Sequence, residues 1–211
     1  MIRMGIAVIG LTTVLAVAGC SVNVDKDAKG NEKKVQIDTP FGGMHVKTDE
    51  VKASDLGMPE YPGGTVEADK DGNKSVDLNL GFGQWQFRVK AIKYVTTDSG
   101  EKVFAFYRKA LSRSGDVISC KDGVPTGTPA KTSQGLTCSD GKKANFKVDS
   151  GGESLDLGRG VELKTGSPKH QKIVGLTTPS ADGKTRFALV ELDLPNTDSL
   201  DKKNSKDDGE Q

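Results

Sequence analysis

The chain has 211 residues, with 30 basic and 29 acidic side chains and a formal net charge of +1, so it lacks the basic excess of a nucleic-acid binder. Hydrophobic residues make up 34%, aromatics 5%, and glycine is frequent at 26 residues, which limits the chain to a modest core built from short strands and many turns. Three cysteines and two widely separated histidines do not supply the ligand spacing of a metal site, and neither a metal nor a cofactor is expected.

In chain order, the first segment is the most informative. Arg3 precedes an apolar run from Gly5 to Ala18, interrupted at Thr12 and Thr13, and Val17-Ala18-Gly19-Cys20 closes it. A charged start, a hydrophobic middle and a small-residue end are the layout of a secretory signal, and a dozen apolar residues are short for a membrane span. The last four residues resemble the bacterial lipobox. That resemblance implies a signal peptide over residues 1–19, cleavage before Cys20, and diacylglycerol on the Cys20 thiol. Cleavage would remove 19 residues, Arg3 among them, and bring the 30 basic and 29 acidic side chains to parity. Ser21 stands where enteric-type bacteria place the aspartate that retains lipoproteins at the inner membrane. The expected address is therefore the outer membrane, facing the periplasm.

Residues 20–34 are polar and carry the run Asp25-Lys26-Asp27-Ala28-Lys29-Gly30-Asn31-Glu32-Lys33-Lys34, which reads as a tether. The folded domain is expected over 35–195 and a disordered tail over 196–211, where Leu200 is the lone apolar side chain. Short runs of alternation then predict strands. Val35–Asp38 and Met44–Lys47 flank Thr39-Pro40-Phe41-Gly42-Gly43 as a hairpin. Val76–Leu80 alternates cleanly, and Trp85–Tyr94 does so with a change of face at Ala91–Ile92 that suggests a bulge. Further strands are expected at Asp116–Cys120, Ala144–Val148, Val161–Lys164, Lys172–Leu176 and Thr185–Leu192. Asp-Gly turns followed by lysine recur at Asp71, Asp140 and Asp182. Asp69–Asn73 has a faint likeness to a calcium loop, but its glycine is in the wrong place and the later ligands are missing.

One helix is expected at about 98–114. Asp98 can cap it with Glu101 three residues on, Val103, Phe106, Tyr107, Ala110 and Leu111 form one apolar stripe, and Gly115 offers a stop. These elements make an α+β domain, an antiparallel sheet with the helix packed across a face. With Cys20 lipidated, Cys120 and Cys138 remain as a natural disulfide pair in an exported chain.

No catalytic constellation is legible. His45 and His170 lie near neither a nucleophile elbow nor a reactive cysteine, and read as surface histidines. Asp38, Asp77 and Glu191 fall on strands, where the polar face of a sheet explains them. Phe82, Trp85 and Phe87 are either core or an exposed platform for a glycan or a protein.

The order Met58-Pro59-Glu60-Tyr61-Pro62-Gly63-Gly64, a strand pair, then Phe106-Tyr107-Arg108-Lys109-Ala110-Leu111 and Gly115 resembles a module of exported bacterial envelope proteins. Asp38-Thr39-Pro40-Phe41-Gly42-Gly43 is similar to a subset of predicted lipoproteins. The resemblance spans about 36–120. It implies a small α+β envelope domain and brings no activity with it. The expected function is thus a lipid-anchored, non-catalytic binding module. Its partners would be the membrane, through the lipid, and an envelope protein or glycan. The competing expectation is an envelope hydrolase working through paired carboxylates.

Overall fold

The structure is a computed structural model that describes residues 19–28, 30, 32–68, 72–140, 147–150, 153–156, 160–176 and 182–195. The segment up to Ala18 that the sequence suggests is a signal, the Asp69–Asp71 part of the loop likened to a calcium site, and the residues from Asn196 expected to form a tail lie outside the described residues. So do Gly141 and the start of the strand expected at Ala144.

Thirteen strands and one α-helix follow in order among the described residues, with a short 3-10 helix at Ala53–Leu56. They are β1 (Ser21–Lys26), β2 (Glu32–Thr39), β3 (Gly42–Thr48), β4 (Thr65–Val66), β5 (Ser75–Phe82), β6 (Trp85–Thr96), α1 (Gly100–Leu111), β7 (Val117–Lys121), β8 (Val124–Pro125), β9 (Lys147–Ser150), β10 (Glu153–Asp156), β11 (Val161–Gly166), β12 (His170–Leu176) and β13 (Thr185–Asp193). Eleven of the strands form one antiparallel sheet in the order β1-β2-β3-β5-β6-β13-β12-β11-β7-β8, with β4 also on β6. The remaining two, β9 and β10, pair with each other. The molecule is thus mostly sheet.

Local chemistry explains the meander. The β2–β3 hairpin turns through Pro40-Phe41 and pairs Thr39 with Gly42. A Cβ at Gly42 would collide with the Gly81 carbonyl and the Phe82 ring, so only glycine lets these strands approach. The β5–β6 turn uses Gly83 at φ 58°, a conformation natural to glycine in tight hairpins.

Strand β6 has no bulge. Its register runs unbroken against β5 and β13, with Ala91 opposite both Val76 and Val190. The change of face has another cause: β6 is central, and both of its faces are buried. Ile92 and Tyr94 join Phe187, Leu189, Val174 and Leu163 in one core. Phe87, Val89 and Ala91 join Ile173, Ala188, Val190 and Leu192 in a second. Each fully buried Val, Leu, Ile or Phe among them contributes about 1.5–3 kcal/mol.

The helix closes the first core. Val103, Tyr107 and Leu111 are buried, and Phe106 and Ala110 pack partly against them, which is the stripe expected from the sequence. It runs over 100–111, shorter than 98–114, and its N-cap is Ser99, whose hydroxyl accepts from the Lys102 N–H. Asp98 is engaged elsewhere: it accepts from the Tyr61 hydroxyl at 2.9 Å and from the Lys102 ammonium at 3.0 Å. The stretch before β4, which contains a turn of 3-10 helix at Ala53–Leu56, completes the cover with Val51, Ala53, Leu56, Met58 and Tyr61. Tyr61 packs edge-on against Phe106 at 5.2 Å, so the Tyr-Pro-Gly turn and the helix form one unit.

Cys120 and Cys138 form a disulfide, burying a small cluster with Ile118 and Leu136. With a separation of 18 residues, loop closure is worth about 3 kcal/mol. The largest difference from the sequence reading is at the start. Ser21–Lys26, read as part of a tether, is strand β1, paired with β2 from Ser21↔Asp38 onward. Val22 and Val24 alternate with polar residues there, a strand signal hidden by the charge around it.

Candidate functional site

Register determines what the open part of the sheet presents. Beyond the area covered by the helix, one face carries a cross-strand row of polar side chains. It runs Asn23, Gln36, His45, Asn79, Arg88, Asp193 and His170, each opposite the next. The adjacent row on the same face runs Asp25, Lys34, Lys47, Asp77, Lys90, Glu191 and Lys172. Both histidines of the chain lie in one row.

These groups are fixed by one another. Arg88 grips Asp77 with two hydrogen bonds, from Nε at 3.1 Å and a terminal nitrogen at 2.7 Å, a bidentate pairing that holds both planes. That contact, first of all, raises the Arg88 pKa further above its ordinary value. Lys90 meets Glu191 at 3.3 Å and donates to the Asp55 carbonyl at 3.1 Å. His45 Nε2 is 2.9 Å from Asp38, and His170 Nδ1 is 2.7 Å from Asp193. The Asp38, Asp77 and Glu191 carboxylates all stand on this polar face.

Two shallow depressions mark the face. One, of about 230 Å³, is lined by His170, Lys172, Glu191 and Asp193 with Ser114, Gln134 and Thr165. The other, of about 280 Å³, lies over Asp38, His45 and Asn79 between Gly43 and Gly81. Among the described residues no group of three or more histidine, cysteine or acidic side chains is arranged to hold a metal.

The His45 hydrogen bond, followed by that of Gln36, holds Asp38 below the usual carboxylate range. A carboxylate depressed in the fold contributes its stabilisation above the ordinary carboxylate pKa and loses it as pH falls through the depressed value. A carbon-13 NMR titration should therefore give Asp38 a low midpoint, and His45→Ala should move that midpoint up. An unchanged midpoint in the variant would discard the pairing.

The aromatic trio divides. Phe87 is 7% exposed and belongs to the second core, Trp85 is half-buried against it, and Phe82 is 52% exposed. The rings nonetheless form a chain, with 5.9 Å between Phe82 and Trp85 and 6.2 Å between Trp85 and Phe87. Phe41, at the neighbouring hairpin tip, is 82% exposed. Cys20 is exposed and its thiol is free, one residue before β1.

Comparison with protein-family models, with curated proteins and with solved structures finds no match. The polar face and the aromatic end are the two surfaces of the domain that offer a partner distinctive chemistry. No helix among the described residues is long and apolar enough to cross a membrane. Of the residues singled out in the sequence, Cys120 and Cys138 form the expected disulfide, Cys20 lies next to β1, and the aromatic run lies at one end of β5 and β6. Sequence reading missed the polar rows, because their members come from seven strands whose neighbours are set by the fold.

Proposed function

We propose that this chain is a lipid-anchored envelope protein whose α+β domain is a non-catalytic binding module, held through Cys20 to the periplasmic side of the outer membrane. The observation that carries the binding role is the polar face: two rows across seven strands, the outer one from Asn23 to His170 open and the inner one partly covered where Lys90 and Lys172 donate to the Asp55 and Gly57 carbonyls, their charges mostly paired in place. Such a face is pre-ordered, so little side-chain freedom is lost when a surface of complementary mixed charge settles on it. This favours a partner protein over a glycan, since no Phe, Tyr or Trp stands in either row for a sugar to stack on.

The hydrolase reading has a weaker footing. It would need a carboxyl group kept protonated as a general acid. Among the described residues every carboxylate with a displaced pKa is displaced downward, namely Asp38, Asp49, Glu50, Asp98 and Asp116. Glu191 is engaged by Lys90 and Asp193 by His170.

Two experiments test the proposal. Cys20→Ala should abolish labelling by a fatty-acid analogue and release the protein from membranes; full membrane retention would refute the anchor. A photo-crosslinking amino acid in place of Asn79, exposed in the middle of the polar face, should capture an envelope protein in cells. The same group in place of Val124, 61% exposed on β8, should not. Equal capture at both positions would remove the polar face as the working surface.

A further inference from the structure

The aromatic end of the sheet and the lipid site share one row. Ser21 pairs with Asp38, so Cys20 comes level with Thr39, the next residue out. Thr39 is opposite Gly42, Gly42 opposite Phe82, and Phe82 opposite Trp85. Strands lie about 4.8 Å apart, which sets Phe82 roughly 14 Å and Trp85 roughly 19 Å from β1, the strand that follows Cys20. Phe41 projects one residue further out, from the Pro40-Phe41 turn. Because β1 begins directly after Cys20, no flexible spacer separates the lipidated residue from the sheet.

An acyl-bearing Cys20 therefore brings this end of the sheet to the bilayer surface. The side chains that arrive there are an 82%-exposed Phe41, a 52%-exposed Phe82 and a half-buried Trp85. Val22, 62% exposed on β1, extends the apolar surface on the same side as Phe82 and Trp85. In water such exposure is unfavourable, whereas aromatic rings are stabilised at the boundary between headgroups and acyl chains.

We infer that Phe41, Phe82 and Trp85 form a membrane-docking edge that enters the interfacial layer of a phospholipid bilayer beside the Cys20 lipid. The edge sets the orientation of the domain. The strands then stand away from the membrane, and the polar face is directed sideways into the periplasm. The inference rests on the reading of Cys20 as lipidated. Its own content is the contact made by the aromatic edge, and the lipid alone could retain the protein without that contact.

Trp85 is the single tryptophan of the chain and serves as the probe. The lipidated protein that begins at Cys20 would be reconstituted into vesicles of phosphatidylethanolamine and phosphatidylglycerol, with or without phosphatidylcholine brominated on its acyl chains. Mass spectrometry would establish the adduct on Cys20. The expected result is a blue shift of Trp85 emission on reconstitution and progressive quenching as brominated lipid increases. Phe41→Ser with Phe82→Ser should weaken the quenching while the adduct and vesicle retention persist; both side chains are mostly exposed, so the fold should survive. A Cys20 without lipid would overturn the anchor, and this inference with it. A lipidated, vesicle-bound protein whose Trp85 stays unquenched would overturn the docking edge alone.

Discussion

Phe187→Ala should destabilise the domain by about 3–5 kcal/mol, the largest loss expected from any single aromatic truncation here. Phe187 is 1% exposed and joins all the layers of the first core. Its ring stacks on Tyr94 at 5.4 Å with planes 11° apart, meets Tyr61 edge-on at 5.7 Å, and reaches Tyr107 of the helix at 5.7 Å. Sheet, helix and the segment before β4 thus converge on one side chain. Truncation would leave a cavity that two strands, held in register on either side, have little freedom to collapse. Aromatic pairs are worth about 0.5–1.5 kcal/mol beyond their buried area, so the upper half of the range is expected. For a domain of this size the shift in Tm would be roughly 6–20 °C. Phe82→Ala is the control: at 52% exposure it should lie within about 1 kcal/mol of the parent. Urea unfolding monitored by circular dichroism measures both. Equal effects would contradict the burial that separates the two rings.

Several elements were legible because a local signal and the tertiary context agreed. The β2–β3 hairpin has alternation on both arms and a Pro-Phe-Gly turn between them. The helix has a stripe at three- and four-residue spacing, and the stripe is the buried face. Disagreement arose where context overrode the local signal. Asp98 has the residue type of a helix cap, but the distant Tyr61 hydroxyl and the Lys102 ammonium from the helix's own first turn claim its carboxylate, and Ser99 takes the role. In β6, alternation predicts a half-buried strand, so a switch of face looked like a bulge. A central strand with a core on each side has no polar face along its inner half, and the period simply vanishes. In β1 the charged neighbours hid two valines at strand spacing.

The surfaces follow the same logic. Cys20 and the aromatic run are visible in sequence because each is a local pattern. That they share an end of the sheet follows from the β1–β2, β2–β3 and β3–β5 registers together. His45 and His170 look unrelated in the chain, yet four successive strand pairings put them in one row. Pairings of this kind depend on strand order, and neither composition nor periodicity encodes it.

The second large effect is expected at Lys164, a residue that no sequence pattern singles out. Its side chain is 1% exposed and that of Glu162, two residues earlier on β11, is 3% exposed. The ammonium lies 3.2 Å from the Glu162 carboxylate and donates to the carbonyls of Asp140, at 3.0 Å, and Cys138, at 3.5 Å. One buried cation thereby joins the sheet to the end of the disulfide loop. Lys164→Met keeps most of the apolar stem but removes the charge, leaving the Glu162 carboxylate buried without this ammonium. Two carbonyls lose their donor as well. Breaking a buried pair from one side costs about 3–5 kcal/mol, whereas removing both charges is often close to neutral. Adding Glu162→Gln to Lys164→Met should therefore recover much of the loss, and the double-mutant cycle should report strong coupling between the two positions. Urea unfolding of the oxidised proteins at neutral pH supplies all four values. A Lys164→Met protein within about 1 kcal/mol of the parent would mean that the pair carries no such strain on removal. A double variant as unstable as the single one would place the cost in the loop carbonyls.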